Sequence, residues 1–283
     1  MITIKKHILN TDDNVIPVSF DASPNHSDAF SEGLPDTIVI HYTAGSSLDS
    51  SVNWLKNPAS KASTHVIIGK KGEIVQLVPF NIKAWHAGIS EWRGRSGLNR
   101  YSIGIEIDNA GLLEKRADGY YSNFGKRVDN SQVVLAPHKY GDKEQAWEAF
   151  TEKQIEVVET LCLLLKENYP IKEIVGHEDV SRGRKTDPGP AFPLQKIINR
   201  VLTGRKDDES SKPDDNVEYH AINYGVVSAD YLNIRKEPST NGRLASDPLP
   251  KGTKLKIIEE KNGWLRIKVE LQGWVSQRWV KEV

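Results

Sequence analysis

Apolar residues in the first two hundred positions fall into short β-branched runs separated by polar turns. Thr37-Ile38-Val39-Ile40-His41 is one such run and predicts a buried strand. Thr64 to Ile68 and Glu73 to Val78 flank Gly69-Lys70-Lys71-Gly72, which predicts a hairpin. In Ser102-Ile103-Gly104-Ile105-Glu106-Ile107-Asp108 the isoleucines alternate and share one strand face, so Gly104, Glu106 and Asp108 project from the other. From Thr151 the period changes. Thr151-Glu152-Lys153-Gln154 is a capping box, and Ile155, Val158, Leu161, Cys162 and Leu165 follow at helical spacing as a core-facing stripe. A last helix is expected over about Leu194 to Leu202, stopping at Gly204. Strands interleaved with helices predict an α/β fold built on a mixed sheet. Residues 111–146, rich in Gly, Asp, Lys and Tyr, follow neither period and read as a long loop excursion bordering a groove.

Residues 205–216 contain no aliphatic or aromatic side chain, the composition of a solvated linker. They divide the chain into a large segment, 1–204, and a small one, 217–283. The small segment has short alternating stretches such as Lys254-Leu255-Lys256-Ile257 between Gly and Pro turns, which predicts a small all-β barrel. With 38 basic and 38 acidic residues the chain lacks the basic excess of a nucleic-acid binder. Its longest apolar run, Leu161 to Leu165, is far short of the roughly 20 residues that span a bilayer, so no membrane span is expected. Met1 to His7 lead into no apolar stretch, so no secretory signal is expected either. One cysteine, Cys162, excludes internal disulfides and zinc sites built from several thiolates. Any metal must be held by His, Asp or Glu.

Metal-competent residues stand near three predicted strand ends or turns. His41 ends the apolar strand, His177 follows Ile174-Val175-Gly176, and Asp187 precedes Pro188-Gly189-Pro190. Two imidazoles and a carboxylate make a three-ligand set, the number that leaves zinc a fourth position for water. Pro188 disfavours helical backbone at Asp187 and puts it on an extended, stiffened loop. His177-Glu178-Asp179-Val180-Ser181 lacks the second histidine of a zincin helix, and no Walker loop, EF-hand loop or G-x-S-x-G elbow occurs.

His41-Tyr42-Thr43-Ala44, Trp85-His86-Ala87-Gly88, Ser102-Ile103-Gly104-Ile105-Glu106, Gly176-His177-Glu178-Asp179 and Lys185-Thr186-Asp187-Pro188-Gly189 occur in this order. Over roughly residues 20 to 203 the chain resembles the zinc-dependent N-acetylmuramoyl-L-alanine amidases of the type 2 class, a fold shared with peptidoglycan recognition proteins. The resemblance implies a central mixed β-sheet flanked by helices and cleavage of the amide joining muramic acid to L-alanine. It matches His41, His177 and Asp187 to the zinc ligands, Glu106 to the acidic catalytic residue and Lys185 to the catalytic lysine. Some relatives carry Cys at the third ligand position, where this chain has Asp187. Tyr42, His65, Trp85 and His86 are expected either beside the substrate or in structural roles; His7, His26, His138 and His220 are given none.

The tail resembles a bacterial SH3-type domain, through Asp230-Tyr231-Leu232-Asn233-Ile234-Arg235, Gly263-Trp264-Leu265-Arg266-Ile267, Gly273-Trp274-Val275 and Trp279-Val280. Such domains commonly bind wall peptides, so a wall-targeted zinc amidase with peptidoglycan or muropeptide as its partner is the leading expectation. A muropeptide-binding protein without catalysis, or a zinc peptidase cutting the stem peptide, are the alternatives. Cytoplasmic synthesis, with action on the wall after phage-type release or dedicated secretion, is the expected setting.

Overall fold

The structure, a computed structural model, describes residues 2–11, 16–203, 223–227, 231–239, 243–245, 248–261 and 264–269. Its contacts divide into two compact units, Met1–Ser210 and Ser211–Val283.

The first unit is organised by a six-stranded mixed sheet. Its strands are β1 (Val18–Phe20), β2 (Thr37–Tyr42), β3 (Val66–Ile68), β4 (Ile74–Gln76), β5 (Ser102–Ile107) and β6 (Glu173–Gly176), in spatial order β6-β2-β5-β3-β4-β1. β5 runs parallel to both β2 and β3, β6 runs parallel to β2, and β3 and β4 form the expected antiparallel hairpin. The isoleucine alternation of β5 is used as read. Ile103, Ile105 and Ile107 are fully buried with Ile38 and Ile40, against Val157, Val158, Leu161, Cys162 and Leu165 of α2 (Glu152–Asn168) and Ile197 and Val201 of α4 (Leu194–Thr203). Burying each large aliphatic side chain stabilises the fold by about 1.5–3 kcal/mol, so this layer anchors the sheet by one face. Thr151 caps α2, accepting from Gln154 N–H while the Gln154 side chain accepts from Thr151 N–H. On the opposite face α1 (Leu48–Lys56) lays Val52 and Leu55 against Ile67 and Leu77.

The segment expected as a loop is instead a five-stranded antiparallel sheet. Its strands are Leu112–Arg116, Gly119–Tyr121, Arg127–Val128, Val133–Pro137 and Glu144–Glu148. They are too short and too rich in charge for a clean alternation. Their pairing closes a small core of Ala110, Leu113, Val128 and Ala146 that no local pattern announces.

The second unit is all-β among its described residues. Asn223–Val226, Lys254–Lys261 and Trp264–Lys268 form one antiparallel sheet, and Tyr231–Leu232 pairs with Leu249–Pro250. Val227, Leu249 and Leu255 make its buried cluster. Trp264 is half-buried; the linker 205–216, Gly204, Trp274 and Trp279 lie outside the described residues. No helix among the described residues is long and apolar enough to cross a membrane.

One backbone position on β5 sets the spacing behind the sheet's polar face. Gly104 N–H donates to His65 Nδ1 at 3.0 Å, and His65 Nε2–H donates to the Ile82 carbonyl at 2.9 Å. His65 is fully buried between Phe30 and Phe80, and burial lowers its pKa to about 4. The expectation that His65 borders the substrate is therefore corrected: both ring nitrogens are spent on backbone. On its other side Gly104 meets His86, whose ring lies 2.4 Å from where a β-carbon would stand.

Gly104→Ala is expected to destabilise the protein by about 1–3 kcal/mol through overpacking, read as a lower denaturation midpoint. His65 is neutral when folded and titrates near its ordinary value when unfolded. Its stabilising contribution is thus full above pH 6.5 and is lost as pH falls toward 4. Denaturant titrations between pH 7 and pH 4 should show a shallower loss for His65→Gln than for the wild type.

Candidate metal centre

β2 and β6 are adjacent and parallel, so their C-terminal ends open at the same edge of the sheet. His41 is the penultimate residue of β2, and His177 opens the short helix α3 (His177–Val180) directly after β6. Asp187 comes from the loop beyond α3, tied to it by Glu178 N–H donating to the Asp187 carbonyl at 2.8 Å. These elements bring three residues separated by up to 146 positions into one buried group.

The hydrogen bonds assign the histidine tautomers. His177 Nε2 faces the Ala87 carbonyl at 3.1 Å, so that nitrogen carries the proton. His86 Nε2 lies 3.2 Å from the Ser102 carbonyl and 3.2 Å from Ser102 Oγ, whose own hydrogen goes to the Leu98 carbonyl at 2.6 Å. His86 Nδ1 is then an acceptor, and His41 Nε2–H donates to it at 3.0 Å. Both His41 and His177 are left with an Nδ1 lone pair. These lone pairs stand 2.9 Å apart and 3.0 and 2.9 Å from Asp187 Oδ2. Three acceptors converge with no proton among them. Burial, reinforced by the neighbouring His177, lowers the pKa of His41 to about 4, so His41 does not relieve the repulsion by taking up a proton near neutral pH. A metal cation does, and the two-imidazole, one-carboxylate set is one that holds it.

His177 and Asp187 line a cleft of about 580 Å³ together with Tyr42, Trp85, His86, Glu106 and Lys185. Glu106 projects from the polar face of β5, in register with His41 on β2. Its Oε2 is buried without a hydrogen-bond partner. Burial, then the Asp187 charge, push its pKa up to about 8, against a smaller lowering by Lys185. Lys185, half-buried, has no carboxylate partner among the described residues and lines the same cleft. Tyr42 Oη meets Thr186 Oγ1, also in the lining, at 2.8 Å, and Trp85 Nε1–H donates to Ser27 Oγ outside it at 2.8 Å, so both side chains are held in place. His86 combines the two roles expected of it, touching the cleft while orienting His41. Of the expected site residues, His41 and His65 lie outside the cleft lining, His41 within hydrogen-bond distance of the lining residues His86, His177 and Asp187.

Sequence reasoning gave His138 no role, yet it reaches the buried Glu178 carboxylate at 2.5 Å, immediately after His177. Lys139 adds contacts to Glu178 Oε1 at 2.9 Å and Asp179 Oδ1 at 2.7 Å. Trp147 of the same inserted sheet packs where a β-carbon on Gly189 would stand, 2.9 Å away, beneath the loop that carries Asp187. The insertion therefore clamps both α3 and the Asp187 loop. The acidic pair Glu178-Asp179 is the only local signal of it, and its partners lie 40 residues earlier.

The model of the N-acetylmuramoyl-L-alanine amidase family, Amidase_2, matches residues 31–190, and that of the bacterial SH3 domain matches residues 230–281. The chain is 32% identical over 148 residues to the 1,6-anhydro-N-acetylmuramyl-L-alanine amidase AmpD of Escherichia coli K12, covering 52% of this chain and 61% of that protein. It is 35% identical over 172 residues to the N-acetylmuramoyl-L-alanine amidase AmiD of the same strain, covering 58% and 52%. The match thus spans between half and two thirds of these two relatives. A similar solved structure, a Se-Met derivative of AmpD, is 24% identical with a TM-score of 0.46, covering 70% of this chain and 98% of that one. With the amidase model matching more than half of its length, the chain belongs to the N-acetylmuramoyl-L-alanine amidase family.

Proposed function

We propose that this protein hydrolyses the amide between N-acetylmuramic acid and L-alanine in peptidoglycan or its fragments, with zinc as the metal. The observation that carries this reading is the convergence of three proton-free acceptors beside the Glu106 carboxyl, whose buried Oε2 has no partner, and a lysine without a carboxylate partner, among the described residues. His41 Nδ1, His177 Nδ1 and Asp187 Oδ2 would hold the zinc, which supplies Lewis-acid polarisation and a lowered pKa for water.

The chain's own residues account for the proton and charge traffic. Glu106, ionised beside a bound cation, accepts a proton from the attacking water and returns it to the nitrogen of the departing L-alanine. A carboxyl held near neutral pKa suits both transfers, because neither direction is steeply uphill. As the carbonyl oxygen gains negative charge, the Lys185 ammonium faces it, stabilising the tetrahedral state more than the planar amide. His86 holds no proton for the reaction; it keeps the His41 lone pair turned toward the metal position. The family assignment supports this bond as the target, and the SH3-type unit supports retention on the wall polymer, which raises the local enzyme concentration.

Incubating the purified protein with peptidoglycan and with soluble muropeptides, with and without a zinc chelator, tests the reading by mass spectrometry. Stem peptides with a free L-alanine amino terminus are expected, lost with chelator and restored by zinc. Intact substrate in both cases, with zinc bound, would point to recognition without cleavage; cuts between amino acids would point to a peptidase. Glu106→Gln is expected to lower kcat by about 10²–10⁴-fold while zinc still binds one-to-one in calorimetry. His177→Ala, in contrast, should abolish zinc binding itself.

A further inference from the structure

The elements that line the cleft differ in charge. α1 and the strand-end segments next to it contribute Ser50, Trp54, Leu55, Ala62, Ser63 and Trp85, none of them charged. Arg184 lines the cleft from the loop after α3, and an adjoining groove of about 650 Å³ shares Arg184 and carries both signs of charge, with Arg93 and Arg182 beside Glu91 and Asp179. The two halves of the proposed substrate differ in the same way. N-acetylated sugars are neutral once the lactyl carboxyl is in amide linkage, while a stem peptide containing γ-linked glutamate carries free carboxylates.

Trp54 is the anomaly on the uncharged side. It sits two residues after Val52, roughly 200° around the helix from that core-facing position. Its side chain is left 60% exposed. Leaving so much of an indole in water forgoes hydrophobic stabilisation that the fold could have taken. Neither its indole N–H nor its ring has a partner among the described residues, unlike Trp85, Trp92 and Trp147, whose N–H groups are all bonded. α1 does not need this ring for its own packing, since Val52, Leu55 and Ser51 supply the buried positions. What remains is a flat apolar face with a free donor at its edge, opening on the cleft.

We propose that Trp54 is the platform of a saccharide subsite, a specificity-determining residue that receives the C–H face of an N-acetylated sugar of the substrate. The electron-rich face of the indole attracts the polarised axial C–H groups of a pyranose, and its N–H is available to a sugar oxygen. Substrate then lies with its glycan over α1 and its stem peptide toward Arg184 and Lys185. This inference rests on the amidase reading for the identity of the sugar.

The test compares two substrates on the full, zinc-loaded chain. One is the GlcNAc–MurNAc disaccharide bearing a stem peptide; the other is the same peptide carrying only a D-lactyl group. Wild type is expected to prefer the sugar-bearing substrate. Trp54→Ala should reduce that preference in kcat/KM by about tenfold, chiefly through KM, with Trp54→Phe retaining most of it. An equal fall on both substrates, or no change in preference, overturns the proposal. A second arm titrates peptide-free GlcNAc–MurNAc disaccharide onto the full chain by NMR. About tenfold weaker binding to folded Trp54→Ala is expected, and identical binding overturns the subsite. This arm needs no cleavage. A chain that cut neither substrate but bound disaccharide through Trp54 would refute the amidase reading and uphold the subsite.

Discussion

Three electron-pair donors held within 3.0 Å of one another, in a buried place and without a shared proton, are an unfavourable arrangement that the fold must enforce. Much of the first unit does this enforcing. The Ser102 and Ala87 carbonyls, reached through His86 and directly, take the imidazole protons on the far sides of His41 and His177. The repulsion that remains is what a cation relieves, so the electrostatic cost carried in the free protein becomes affinity in the loaded one.

The same constraint explains the neighbourhood. β5 must be narrow at Gly104, because His86 lies against one side of the strand and His65 accepts from its amide. It must be polar two residues on, where Glu106 sits in register with His41. Its opposite face must be apolar to anchor the strand against α2 and α4. Glu106 Oε2 is then buried without a partner among the described residues and near the Asp187 charge, a state that raises the pKa of the carboxyl and lets it exchange protons readily. Ligands and base share two adjacent strands, one helix start and the loop that follows it.

The inserted sheet adds an outer layer of the same kind. Glu178 and Asp179, directly after His177, are gripped by His138, Lys139 and Tyr140, and Trp147 supports the Gly189 turn just beyond Asp187. Its five short strands thus restrict the two ligand-bearing segments that no central strand holds. Functional loops placed on a rigid scaffold commonly gain precision from such buttresses.

Strong local periodicity was enough to read β2, the β3–β4 hairpin, β5 and α2 from the amino-acid sequence, because each buries one face and must repeat at its own period. The same alternation put Glu106 opposite the isoleucines, and ordered motifs named His41, His177, Asp187 and Lys185. Tertiary structure alone decided the rest. Whether a histidine faces a cleft or a core depends on which carbonyl its second nitrogen meets, and this separated His65 from His86 although both lie in similar apolar company. The inserted sheet was invisible because its strands are stabilised by pairing rather than by pattern. The roles of His138 and Trp54 were equally hidden: one depends on a contact spanning 40 residues, the other on a face left open, and neither is encoded in neighbours along the chain.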